Sequence, residues 1–473
     1  SRVEAVPREH VLATLTRHKR WESANEYVGH LESLPLGPDV AAFLGHSDLR
    51  AAVMGLDRAT DDKHSPSREE LARMEQLLES ALDAGFIGMS SMASRWDKLD
   101  GERFRSRPLP ATFARSSELR RLAHVLRQRG GVLQSAPNLV KPWNVFAWLF
   151  MSMGALSRLP LRVSLLTAAD AKALPGLTRA LTALTRWFNR WFSGDVRWQH
   201  LPVPFEVYAD GMDMVVFEEF GAGRAALHLK DQLERTRLLE DPAYRHRFRR
   251  DYQQKLTPRV WQRDFFDAYV VECPDRSMTG KSFGELAAAR ALHPVDVFLD
   301  LVVQYGSALR WRTVIANHRE HVLNQLAADP SVHMGFADSG AHLRNMAFYN
   351  FPIRLLRRVQ EAQRRGTPFL STEQAIHRLS GELGQWFGLD AGTLRVNDYA
   401  NIAIIDPQGL DASVDAYHEA SVEEYGGLRR MVNRSDRAVL ATLIGGEVVF
   451  EAGQFAPGFG KTLRSGRVLR LAR

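Results

Sequence analysis

The sequence predicts an α/β fold of parallel βα units with a small β-rich unit at its C-terminal end. Three observations carry that prediction. Short apolar runs alternate with amphipathic helical stretches at intervals of a few tens of residues. The run at 332–342, V-H-M-G-F-A-D-S-G-A-H, reads as a buried strand that ends in Asp338 and a glycine-containing turn. After Gly388 the texture changes to short β-type segments divided by turns.

Taken in order, residues 21–34 predict a helix, with Tyr27, Leu31 and Leu34 at helical spacing and Pro35 and Pro38 behind it. Residues 40–44 form an apolar strand with His46 at its C-terminal end and Arg50 in the turn or helix that follows. Ser67 and Glu70 form a capping box for a helix that buries Met74, Leu78 and Leu82 and stops at Gly85. Residues 86–91, 132–134 and 161–166 are further strands, and Ser116 is expected to cap a helix. Residues 95–110 read as a charged loop. Residues 229–255, 285–301, 372–387 and an arginine-rich stretch after Phe351 read as helices. Residues 394–406 and the pair 439–444 and 447–451, joined by Gly445-Gly446, read as strands and a hairpin.

At 473 residues the chain suits one large domain with an appendage. A hydrophobic share of 45% with 25% charged residues places it among globular proteins that do not span a membrane. Its single cysteine, Cys273, excludes an internal disulfide framework and a cysteine-cluster zinc site. It fits a reducing, cytoplasmic compartment. The net charge of +7 is spread along the chain without a Lys/Arg block of nucleic-acid type, so no nucleic-acid partner is expected. The opening S-R-V-E-A-V-P reads like the interior of a longer sequence.

Residues 142–195 depart from the βα pattern and read as a helical insertion. Within them, 144–156 is almost wholly apolar but shorter than the roughly 20 residues of a membrane span. Residues 177–192 place Leu177, Leu181, Leu184, Phe188 and Trp191 on one side, with Arg179, Arg186 and Arg190 around the remainder. The first expectation is a helix packed on the body of the fold. The second is a basic helix lying on a membrane surface.

Four stretches, in order, resemble the D-aminoacylase (N-acyl-D-amino-acid deacylase) branch of the amidohydrolase superfamily. They are A-F-L-G-H-S-D-L-R at 42–50, A-L-D-A-G-F-I-G-M-S-S at 81–91, G-F-A-D-S-G-A-H at 335–342, and the β segments at 393–406 and 441–453. The resemblance implies a TIM-like (β/α) barrel, incomplete at its N-terminus, over 1–388, and a small β-sandwich unit over 389–473. It implies zinc-assisted hydrolysis of the amide of an N-acyl amino acid or a related small amide. Asp338 would move the proton between water and leaving nitrogen and could also touch the metal. His46, Arg50, Ser339, His342 and Arg344 are the expected substrate-binding residues, the arginines by pairing with a carboxylate. From spacing alone, Asp338 could equally cap a helix or start a turn.

The sequence also departs from the family pattern. No two of its 16 histidines form the expected His-x-His pair, and Cys273 sits in E-C-P, not in an Asn-Cys-Gly segment. Gln134 and Ser164 stand in strands where the family carries histidines, and both are poor zinc ligands beside imidazole. Binding without turnover is therefore an alternative function, and a basic peripheral membrane protein is a further one. Oligomeric state is not legible.

Overall fold

The computed structural model describes residues 8–94, 97–136, 144–154, 159–229, 231–254, 259–340, 342–346 and 348–471. The opening heptapeptide, the start of the 95–110 loop, the ends of the 142–156 stretch, residue 255 and Ala341 of the 338–342 turn lie outside the described residues.

The strands, in chain order, begin with β1 (Phe43–Gly45), β2 (Gly88–Met92), β3 (Val132–Ala136), β4 (Arg162–Leu166), β5 (Asp195–His200), β6 (Phe205–Asp210), β7 (Ala268–Glu272) and β8 (Arg310–Ala316). They continue with β9 (Val332–Met334), β10 (Ile402–Ile405), β11 (His418–Val422), β12 (Leu428–Val432), β13 (Val439–Ile444), β14 (Glu447–Glu451) and β15 (Gln454–Phe455). The main sheet has the order β1-β2-β3-β4-β5-β9, and all its pairs are parallel. This is the predicted βα sheet. Among the described residues β1 and β9 end this order, and the parallel βα arrangement is that expected of the TIM-like (β/α) barrel.

Helices cover one face of this sheet because its strands alternate with them in the chain. Leu133, Val163, Leu165, Trp198 and Val332 pack there with Leu122, Leu126, Phe188, Leu326 and Leu355. Several helix ends match their sequence signals. Ser67 Oγ accepts from the Glu70 amide at 3.2 Å and the Ser67 amide donates to Glu70 Oε2 at 2.8 Å. Gly85 closes that helix at φ +115°, a left-handed conformation that suits glycine. Other ends differ from expectation. Ser116 is the first helical residue, behind an Arg115 cap that uses no side chain. Residues 285–301 belong to two helices, Phe283–Arg290 and Pro294–Tyr305, because Pro294 starts a helix better than it continues one. The 372–387 helix likewise breaks at Ser380 into Thr372–Leu379 and Gly381–Phe387.

The stretch expected as a helical insertion contains β4, a central strand of the sheet. The larger excursion lies between β5 and β9. It carries a second, antiparallel sheet of order β6-β8-β7, whose three strands the sequence reading missed. An aromatic core of Phe217, Trp261, Phe265, Phe283, Phe298 and Trp311 fills this unit. At the C-terminal end a sheet of order β10-β13-β14-β15 forms, with Gly445 and Gly446 at φ +61° and +84° in its hairpin turn. The tail then returns to the first strand region, where the Val40 amide donates to Arg467 O at 2.9 Å.

Glu219, in the inserted unit, is a sensitive point of the fold. Its side chain is 3% exposed, and Oε1 accepts from the Val260 and Trp261 amides. Burial pushes its pKa up to about 7, against the pull of those two amides and of Arg263. A raised carboxyl pKa favours the protonated folded state, so this contribution is full below about 4.5 and is lost as pH rises through about 7. Glu219→Gln keeps the acceptor and removes the titration. Chemical denaturation across pH 4 to 8 is expected to show the variant gaining on the wild type by about 3 kcal/mol over that window.

Candidate active site

Side-chain alternation in the strands decides what reaches the second face of the parallel sheet. Ser90, Gln134 and Ser164 are cross-strand partners, and Gln199 is the partner of His333. They lie on the face opposite the helix-packed residues. The helix Gly381–Phe387 covers the N-terminal part of this face. Trp386 Nε1 donates to Asp195 Oδ1 at 2.7 Å, Arg162 donates to Trp386 O, and His333 packs edge-on against Trp386 at 4.7 Å. Towards the C-terminal ends, Gln199 Nε2 donates to Ser164 Oγ at 2.8 Å.

Asp338 stands just beyond β9, on the C-terminal side of the sheet. Its side chain is 47% exposed, and its backbone holds φ +46°, a region few non-glycine residues adopt. His342 Nε2 lies 3.2 Å from Asp338 Oδ2, and the imidazole is buried with no partner at Nδ1. The sequence's Asp-x-x-x-His spacing thus becomes a carboxylate–imidazole pair with an accessible carboxylate. Ser339 secures the turn: its hydroxyl donates to Ala337 O and accepts from the Phe348 amide, while its carbonyl accepts from Tyr349. Phe336 stacks on Phe205 at 5.7 Å and anchors the loop to the inserted unit.

The other expected substrate-binding residues all have partners within the protein, and His46, Arg50 and Arg344 have theirs away from the Asp338 turn. His46 follows β1 but is fully buried, with Nδ1 2.9 Å from Ser91 Oγ and Nε2 2.8 Å from Glu118 Oε1. Arg50, also fully buried, donates to the second oxygen of Glu118. Neither is free to meet a carboxylate from outside. Burial alone would raise the Glu118 pKa, but His46 and Arg50 outweigh it and hold the group below the usual carboxyl range. Arg344 is bidentate to Asp210 at 2.8 and 2.9 Å and reaches Glu419 at 2.9 Å, joining the inserted sheet to the β11–β12 hairpin. Ser339 is buried in its turn and shapes the loop. Glu118 is the residue the sequence reading missed, because a carboxylate in a helix pattern carries no mark of burial.

A metal site of the implied kind does not fit. Among the described residues no three His, Cys, Asp or Glu side chains gather where a metal could sit. Gln134 and Ser164 occupy the sheet positions already noted, and Ser164 is committed to Gln199. His200 and His333 are on adjacent strands, but His333 pairs with Gln199 and His200 with Met334, so their rings point to opposite faces. Burial keeps both pKa values down near about 3, so both rings are neutral, but they cannot converge on one ion.

Comparison with known proteins accords with this architecture. No protein-family model matches the chain. Uncharacterized proteins of Mycobacterium tuberculosis and Mycobacterium bovis are 56% identical over 477 aligned positions, covering 99% of this chain and 78% of theirs. The chain belongs to one family with them. A D-aminoacylase of Alcaligenes xylosoxydans xylosoxydans is 41% identical over 75 residues, 16% of this chain. Among solved structures, a D-aminoacylase described with a binuclear metal centre matches with a TM-score of 0.56 at 19% identity, covering 95% of this chain and 76% of that one. N-acyl-D-glutamate deacylase from Bordetella bronchiseptica, solved with zinc and a phosphonate inhibitor, matches with a TM-score of 0.55 at 18% identity, covering 98% and 78%. The chain therefore shares its fold with these D-aminoacylase and N-acyl-D-glutamate deacylase structures.

The buried cluster generates a prediction. In Glu118→Ala, Arg50 loses its buried counter-charge while its Nε and second amino group already lack partners. Urea unfolding is expected to show a loss of about 3–5 kcal/mol, as for removal of one member of a buried ion pair. Exposed Asp57, which pairs with Arg103, is the control, and Asp57→Ala should cost less than about 1 kcal/mol.

Proposed function

We propose that the protein hydrolyses the amide bond of an N-acyl amino acid or a related small amide, with Asp338 as the group that carries the proton. The observation behind this reading is the exposed Asp338 carboxylate, held beside His342 at the C-terminal side of a parallel βα sheet. Asp338 would take a proton from the attacking water and deliver it to the leaving nitrogen. His342 would orient the carboxylate and fix which oxygen faces the substrate. The half-buried Ser90 and Gln134 would offer neutral hydrogen-bonding groups to a small polar amide. The described residues do not compose a metal site, so no step is routed through one.

A second reading is binding of the same small amides without turnover. It is favoured by Gln134 and Ser164, which replace imidazole at two strand positions, and by the burial of His46 and Arg50.

Initial rates with N-acetyl-D- and N-acetyl-L-amino acids, with and without added zinc, separate the two readings. Asp338→Asn is expected to lower turnover by at least about 100-fold while leaving the fold intact. Equal turnover by the variant removes Asp338 from the mechanism. Calorimetric binding of the same compounds with no hydrolysis establishes the second reading.

A further inference from the structure

The outward face of the helix Leu177–Phe192 is not what a water-facing helix carries. Its buried side is formed by Thr182, Thr185 and Phe188, with Thr185 Oγ1 accepting from Trp198 Nε1 at 2.8 Å. Asn189 pairs with Val196 through both its amide atoms, fixing the same side against β5. On helical geometry the opposite side then presents Trp187 and Trp191, one turn apart, with Ala180 and Ala183 beside them and Arg179 and Arg190 along one flank. Trp187 is 52% exposed and Trp191 67%. The sequence pattern had set Trp191 with the apolar side, so this placement is a correction. The preceding helix, Asn144–Ser152, carries a further exposed aromatic, Phe150 at 59%, whose ring meets the buried-side Phe188 edge-on at 6.1 Å. Neither helix contains an aspartate or glutamate.

We propose that this face docks the protein on an anionic lipid surface. Tryptophan prefers the boundary between headgroups and acyl chains, and arginine beside it meets lipid phosphates. The helix of 16 residues is about 24 Å long and would lie in the plane of the surface. It does not cross: among the described residues no helix is long and apolar enough to span a membrane. The whole chain adds a net charge of +7, which draws it to an anionic surface before the aromatic contact forms. The charge sign selects this occupant. A second copy of the same face would set Arg179 and Arg190 against their own kind.

Sedimentation of the full chain with vesicles tests the proposal, using phosphatidylcholine alone and phosphatidylcholine with phosphatidylglycerol. Binding is expected only to the mixed vesicles, with a blue shift in tryptophan emission and weakening as salt screens the charge. Arg179→Gln with Arg190→Gln should lower the partition coefficient about 25-fold. Trp187→Ala with Trp191→Ala should abolish the emission shift. All four side chains are exposed, so circular dichroism should match the wild type. Binding that ignores lipid charge, no binding to either vesicle, or a dimer that the tryptophan variants convert to monomer would overturn it. Hydrolytic activity is read separately, since none of these residues belongs to the Asp338 site.

Discussion

Strand alternation is the constraint on which the rest of this molecule depends. In a parallel sheet each side chain is assigned to one face or the other with a period of two, and neighbouring strands share that assignment through their register. Here one face is committed to helices through Leu133, Val163, Leu165, Trp198 and Val332. Gln134, Ser164 and Gln199 fall to the other face. The same rule separates His200 from His333, although they stand on hydrogen-bonded strands. A shift of one residue in β5 would exchange Gln199 for His200 at that second face and alter its chemistry. The local chemistry is therefore a consequence of register before it is a matter of residue type.

Charge burial governs where the polar residues of the G-H-S-D-L-R segment find partners. The G-H-S-D-L-R segment lies at the end of β1, where a strand turns sharply into a helix and leaves space beside β2. His46 and Arg50 fill that space and bring Glu118 with them from another helix, closing a three-residue network. Arg344 does the equivalent across a longer distance, with Asp210, Glu419 and Arg310 tying the inserted sheet to the C-terminal hairpin. In both places the partner comes from far along the chain. Such groups are expensive to bury singly and are retained as sets.

The βα alternation, the helix capped by Ser67, the Gly445-Gly446 hairpin and the exposed turn at Asp338 were all legible, because each rests on spacing within a few residues. The inserted sheet was not. Its strands β6, β7 and β8 are separated by long helical stretches, and β8 lies between the other two, so no local repeat announces the pairing. The roles of His46, Arg50 and Arg344 were also beyond reach. Their partners Glu118, Asp210 and Glu419 are 68 or more positions away in sequence. A histidine at a strand end reads the same whether it faces a substrate or a buried carboxylate.

The helix Leu177–Phe192 marks the sharpest limit of pattern reading. Periodicity identifies an apolar side, and the ordinary inference is that this side is buried. The structure keeps Phe188, Leu181 and Leu184 inward and adds Thr182 and Thr185 to that side, where Thr185 Oγ1 accepts from Trp198 Nε1. With that side turned to the sheet, Trp187 and Trp191 face outward. Hydrogen bonds of Thr185 and Asn189 to β5, together with the buried Phe188 ring, thus fix which aromatic residues meet the surroundings. The surface of this protein is accordingly set from within, by the polar demands of its core.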